Sequence, residues 1–424
     1  MRRHLAVVLG CAALVAVATA APAGARTGPA GGSGHTGGSG DLVVAWNQEL
    51  LRIVRTPGQQ PPTVHATRSF ALLHAAICDA VAATTHSGPS YLVTLHARPG
   101  ASPRAAAAQA GHDTLAALYP GQRAALDAQL TAELATLPDN QTRTDGRRVG
   151  ALAAEVLVAA RSNDGSAATP PPYTPGPAPD AYRPTPPAFA APVFTHWGAV
   201  TPWVIDSPDR FRPAPYPALN SPAYLGAIDE VRRLGSATSD TSTGRTADQT
   251  TQARFWAAPI WNYWNEIAQT VATARHTDLV RTARLFADLN LTFADATIAF
   301  YDAKYQLAIW RPVTALQSTD PGWTPLATTP ADPSYPGAHS VIGQAGAVVL
   351  GRWFGPHVRF AVTSEALPGV TRSFAGFQAA ADEAGLSRIY AGVHTRLDHV
   401  SGQRLGRAVA VSAGRALEAR PGHG

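Results

Sequence analysis

Apolar residues return every third or fourth position along most of this chain, the spacing of helices that bury one face. The first such run, Leu42 to Leu51, has Asp41 in place to cap it. Further Ala- and Leu-rich runs predict helices at about 66–86, 103–118, 121–137 and 142–162. Residues 164–195 break the pattern. They are crowded with proline, which fixes φ and removes a backbone donor, so neither a helix nor a central strand fits. A long connection or a wrapping arm is expected there. Helical spacing resumes over Ser221–Leu234, Ala247–Ala274 and Thr277–Leu316. Alternating Val, Ile and Thr is scarce, and no repeat of fixed length is present. The pattern predicts an all-α protein built from helical bundles. An N-terminal bundle covers 41–163, a Pro-rich connection with short helices covers 164–246, and a C-terminal bundle covers 247–424.

Composition changes this picture at the N-terminus and at one lysine. Residues 1–25 read as a signal peptide: Arg2 and Arg3, an apolar run from Leu5 to Ala20, then small residues at Ala23-Gly24-Ala25. Residues 26–40 are Gly/Ser-rich and predict a disordered leader. The expected product is secreted, and no later run is apolar enough to span a membrane. Cys78 is then the one cysteine left, which excludes a disulfide framework and a thiolate-ligated metal cluster. The formal charge of +5 shows no basic run interleaved with aromatics, so no nucleic-acid partner is expected. Among 34 Lys plus Arg residues the only lysine is Lys304. A compact ammonium kept at a single position suits a site that a planar guanidinium cannot serve.

Three segments carry candidate chemistry. In Lys304-Tyr305-Gln306-Leu307-Ala308-Ile309-Trp310-Arg311-Pro312, a spacing of seven predicts two cations on one face of a largely buried helix, two turns apart. Two such cations need an anion between them. Tyr335-Pro336-Gly337-Ala338-His339-Ser340 precedes a helical run, so small residues can bring backbone N–H groups of Gly337 and Ala338 to an anion at a helix N-terminus. His339 is placed there as a general acid or base. In Ser387-Arg388 through His394 to Asp398, the spacing of four predicts that a carboxylate orients the histidine ring from the same helical face. Arg388 adds a fork suited to tetrahedral oxyanions.

Together these segments resemble the signature of the vanadium-dependent haloperoxidase and type 2 acid phosphatase superfamily. Its pattern is Lys, six residues, Arg-Pro; then Pro-Ser-Gly-His; then Ser-Arg, five residues, His, three residues, Asp. Thr201-Pro202-Trp203, Ser207 to Pro213, Ala253 to Trp256 and Trp264-Asn265-Glu266 look like its soluble haloperoxidase branch, and the resemblance spans 41–415. It implies two helical bundles around one oxyanion pocket. Lys304, Arg311 and Arg388 would neutralise the oxygens of vanadate, His394 would bind the vanadium, and His339 would be the acid–base partner. Asp398 would orient His394. Halide, bromide ahead of chloride, would be oxidised by hydrogen peroxide and passed to an organic acceptor. The same pocket in a secreted acid phosphatase would hold phosphate, with His394 as nucleophile on a phosphomonoester. A non-catalytic oxyanion-binding protein of this fold is the third reading, and the arm at 164–195 leaves an oligomer open. Two departures bear on these roles. Gly337 stands where the family has serine, a loss of about 1.5–3 kcal/mol of hydrogen bonding. Asp332 places a carboxylate seven residues before the histidine, where it is expected to repel halide.

Overall fold

The computed structural model describes residues 40–420 except Pro89, Val93 and Thr243. The expected signal peptide and most of the leader therefore lie outside the described residues. The regular structure of the described chain is helical apart from one small antiparallel pair. Thirteen α-helices are described: α1 Asp41–Arg55, α2 Ala66–Thr85, α3 Pro103–Leu118, α4 Arg123–Ala135, α5 Gln141–Ala160, α6 Pro222–Leu234, α7 Ala247–Phe255, α8 Ile260–Ala274, α9 Leu279–Leu307, α10 Pro312–Gln317, α11 Ala338–Phe354, α12 Phe377–Tyr390 and α13 Arg396–Glu418. Strands β1 Phe360–Thr363 and β2 Thr371–Phe374 pair in register from Phe360 opposite Phe374 to Thr363 opposite Thr371. Phe360, Val362 and Phe374 turn into the core, and Phe360 stacks on Phe377. That face anchors the pair, which a scarcity of strand signals does not announce.

Helix α9 is the axis. Asp278 caps its start by accepting from the Arg281 N–H at 2.7 Å, and most of its length is buried. At 1.5 Å per residue its 29 residues span about 43 Å. α2 packs on one flank, and α11 and α13 pack on another. α2 is buried nearly all round, which explains why its apolar positions show little sidedness. The main apolar core runs from Leu42 in α1 to Leu417 in α13, and two small clusters lie beside it around Trp323 and Tyr390.

Two of the predicted long helices are interrupted. Pro259 separates α7 from α8, and the stretch expected to run to Leu316 ends instead at Leu307. The Pro-rich connection carries no helix over 164–195, and buried carboxylates of α9 pin the chain that follows it. Asp295 accepts from the N–H groups of Trp203, Val204 and Ile205 at 2.6–2.9 Å, and Asp302 holds Arg212 through two bonds of 2.6 and 2.7 Å. No described helix is long and apolar enough to cross a membrane.

Helices α3 and α5 approach too closely for side chains at their crossing. A Cβ on Gly150 would lie 2.2 Å from the Ala106 carbonyl oxygen. Alanine is the better helix former by about 1 kcal/mol, yet overpacking against backbone costs about 1–3 kcal/mol. Gly150→Ala should therefore lower the urea midpoint of unfolding. A midpoint that rises would mean these helices are not in contact at this glycine.

Candidate functional site

Lys304 lies in the last turn of α9 and is fully buried. The helix stops because Ala308 takes the left-handed conformation, with φ of 48°. The Pro-rich arm then grips the next residues in extended form: Tyr182 N–H donates to the Ala308 carbonyl at 2.6 Å, and Trp310 N–H to that of Asp180 at 2.7 Å. Arg311 is extended, with φ −85° and ψ 154°, and Pro312 opens α10 at the position where its missing N–H costs nothing. The expectation of one helix carrying both cations is therefore corrected. Lys304 and Arg311 meet because the helix breaks between them.

Both cations converge on one loop. Arg311 donates through Nε to the Asp332 carbonyl at 2.7 Å and through Nη1 to the Val393 carbonyl at 2.8 Å, while Nη2 bonds the Asp332 carboxylate. Lys304 Nζ donates to the Pro333 carbonyl and to that of Ser334 at 3.2 Å, and sits 3.4 Å from Asp332 Oδ2. Burial pushes the Lys304 ammonium down to about 8, with Asp332 pulling the other way. Burial opposes ionisation of Asp332, but Lys304 and Arg311 outweigh it and hold that carboxyl below its usual range. Asp332 is thus a paired charge and not the free repulsive one expected from the sequence.

His394 also departs from helical geometry. It precedes α13, whose cap Thr395 forms a capping box with Asp398. Asp398 Oδ2 accepts from Thr395 N–H at 2.7 Å, from Ser334 Oγ at 2.7 Å and from His394 Nδ1 at 3.2 Å. The pairing expected from one helical face is made by a helix cap instead. On the far side of the ring, Arg311 Nη1 lies 3.1 Å from His394 Nε2. Arginine can only donate, so Nε2 accepts and Nδ1 carries the proton. Burial first, then Arg311, Lys304 and Arg388, hold the ring well below the usual histidine range, so it is neutral.

Arg388, in the last turn of α12, is buried, and its Nη1 has no partner among the described residues. Burial, then the Arg311 charge, lowers it to about 10. His339 is the second residue of α11, and its Nε2 donates to the Trp256 carbonyl at 2.9 Å, leaving Nδ1 as an acceptor. It too is held well below the usual range, by burial first and then Arg388. Gly337 is the N-cap of α11, but its N–H already donates to the Asp398 carbonyl at 3.0 Å. Ala338 opens the helix, where first-turn N–H groups have no partner within it. Ser340 turns away to His399 Nδ1 at 2.9 Å and fastens α11 to α13.

Spacing does not reveal two further residues, Ser334 and His65, and it gives Asp332 a different role from the one the structure shows. Ser334 supports the Asp398 carboxylate, Asp332 neutralises two cations, and His65 closes one side. His65 caps α2 and packs among Trp261 at 4.3 Å, Phe194 at 5.0 Å and Tyr301 at 5.8 Å between ring centres. Burial takes it down to about 3, and Asp332 is near enough to pull against that. The place of Ser334 two residues after Asp332 is the one signal that could have pointed to it; His65 sits 239 positions before Lys304 with nothing local to mark it.

The VCPO second helical-bundle domain matches residues 284–420. That segment contains Lys304, Arg311, Asp332, His339, Arg388, His394 and Asp398. The vanadium chloroperoxidase of Curvularia inaequalis is 26% identical over 167 residues, which is 32% of this chain but only 27% of that protein's length. Among solved structures, the first bacterial vanadium-dependent iodoperoxidase is 27% identical, with a TM-score of 0.78 over 89% of this chain and 95% of that one. A bacterial vanadium-dependent chloroperoxidase in holo form shares the fold at 16% identity, with a TM-score of 0.71 over 91% of this chain and 99% of that one.

Because Lys304 titrates near 8, the cluster loses a positive charge above that pH. Sulfate keeps its charge across this range, so its affinity should fall by several-fold between about pH 7 and 9. Calorimetry showing a flat affinity would mean Lys304 does not face the bound anion.

Proposed function

We propose that this chain, which belongs to the vanadium-dependent haloperoxidase and type 2 acid phosphatase superfamily, is a secreted haloperoxidase that holds vanadate at His394. One observation carries the reading. A neutral histidine turns its Nε2 lone pair to Arg311, and nearby Arg388 has a buried N–H group without a partner among the described residues. A buried charged donor left unpaired is costly, so an oxyanion beside it would be strongly favoured. The donor set fits vanadate: one ring nitrogen for the metal, guanidinium and backbone N–H groups for oxygens, and the Lys304 ammonium as a nearby charge.

Bound vanadate supplies a Lewis-acidic centre at which hydrogen peroxide becomes able to oxidise halide. The chain's own residues do the rest. Asp398, fixed by Thr395 and Ser334, holds the proton on Nδ1 of His394 and so leaves Nε2 unprotonated, its lone pair engaged by Arg311 and able to pass to a ligand. Arg388 and Arg311 offset oxyanion charge, and the first turn of α11, from Ala338, offers backbone donors. His339 takes up a proton at Nδ1, because Nε2–H is committed to Trp256. The aromatic wall of Trp261, Phe194 and Tyr301 beside His65 provides a dry approach for halide. An easily oxidised halide, bromide or iodide ahead of chloride, suits a site whose cations are partly offset by Asp332.

The test is a bromide-dependent halogenation assay with hydrogen peroxide on the protein loaded with orthovanadate, beside phosphomonoester hydrolysis without it. Halogenation should require vanadate and fall at least about a hundredfold in His394→Ala. Phosphate release inhibited by vanadate, with no halogenation, would replace this reading with the acid phosphatase. Silence in both assays would leave an anion-binding protein without turnover.

A serine at the altered loop position gives an independent check. Gly337 has an ordinary φ of −74°, and an added Cβ would meet nothing nearer than the Asp398 carbonyl oxygen at 3.3 Å. Gly337→Ser should tighten vanadate binding by about tenfold, the worth of one hydrogen bond to a charged group. Unchanged affinity would place the oxyanion away from this loop.

A further inference from the structure

The loop Asp332-Pro333-Ser334 fills one half of the cation cluster before any external anion is considered. The three protons of Lys304 face three acceptors: the carbonyls of Pro333 and Ser334 and the Asp332 carboxylate. Arg311 spends Nε on the Asp332 carbonyl and Nη2 on its carboxylate. The carboxylate is buried, so little solvent screens it. Arg388, by contrast, keeps Nη1 unpaired among the described residues. Three cations stand against two carboxylates, Asp332 and Asp398, with both histidines neutral. The cluster therefore carries one net positive charge.

We infer that Asp332 is a tethered counter-anion that sets the charge of the oxyanion this site accepts, favouring a monoanion over a dianion of the same shape. The inference rests on the oxyanion reading above and specifies its ligand class. A tetrahedral anion lodged near His394 and Arg388 shares Arg311 with Asp332, whose repulsion leaves a net attraction that grows only in proportion to the anion's charge. The cost of taking the anion out of water grows about as the square of that charge, so a second charge is not offset. The pocket does not lose its binding power. It loses its preference for high charge, and a protonated oxyanion becomes the matched guest.

Perrhenate and tungstate test this directly, being tetrahedral oxyanions of similar size that carry one and two charges. Calorimetry on the full chain should find perrhenate bound at least as tightly as tungstate. In Asp332→Asn, which keeps an oxygen for Arg311, the Coulomb term doubles with anion charge. A gain of about tenfold for perrhenate therefore becomes about a hundredfold for tungstate. The wild-type arm needs no variant, so the idea stays testable if Asp332→Asn does not fold. A wild-type preference for tungstate of more than about tenfold overturns it, and so does a tungstate-to-perrhenate ratio unchanged in a folded Asp332→Asn. Either result, with orthovanadate still bound, removes the counter-anion and leaves the proposed function intact. If neither these anions nor orthovanadate binds the wild type, both readings fall together.

Discussion

Three cations buried within reach of one another are the constraint on which the C-terminal half of this molecule depends. Taking each away from water costs several kcal/mol, and their mutual repulsion adds to that. The chain meets the cost with acceptors placed at fixed points. Backbone carbonyls of Asp332, Pro333, Ser334 and Val393 face Lys304 and Arg311, and the Asp332 carboxylate bridges the two. Carbonyls that aim inward cannot also serve a helix, which is why the segment between α10 and α11 is irregular.

The helices that frame the site follow from ordinary sequence signals, whereas the contacts inside it do not. Periodicity located α1, α2, α3, α5 and α6 because each buries a patterned face or is wholly apolar. It ran through Ala308 and joined Lys304 to Arg311, since nothing in apolar spacing registers a left-handed residue held by a distant arm. Pro312 was the available warning, because a residue before proline avoids the helical region. At His394 the spacing of four to Asp398 fitted a helix equally well, yet Thr395, three before Asp398, was a capping-box signal in plain sight.

Asp332 shows a different limit. One-letter chemistry says that a carboxylate repels anions, but its effect depends on what it faces. Facing two buried cations, it removes charge from the site without blocking it. Ser334 and His65 were invisible for a related reason. Their roles come from a third residue that folding brings near: Asp398 for Ser334, and the ring cluster of Trp261, Phe194 and Tyr301 for His65.

That ring cluster divides the pocket by position along the chain. Every charged group of the cradle lies within 284–420, but His65, Phe194, Trp256 and Trp261 all come from earlier in the chain. One stretch of polypeptide therefore owns the electrostatics, and another owns part of the surface that an incoming molecule meets. The second can drift in shape and size without moving a single cation, so such a molecule can change what it admits while keeping what it holds.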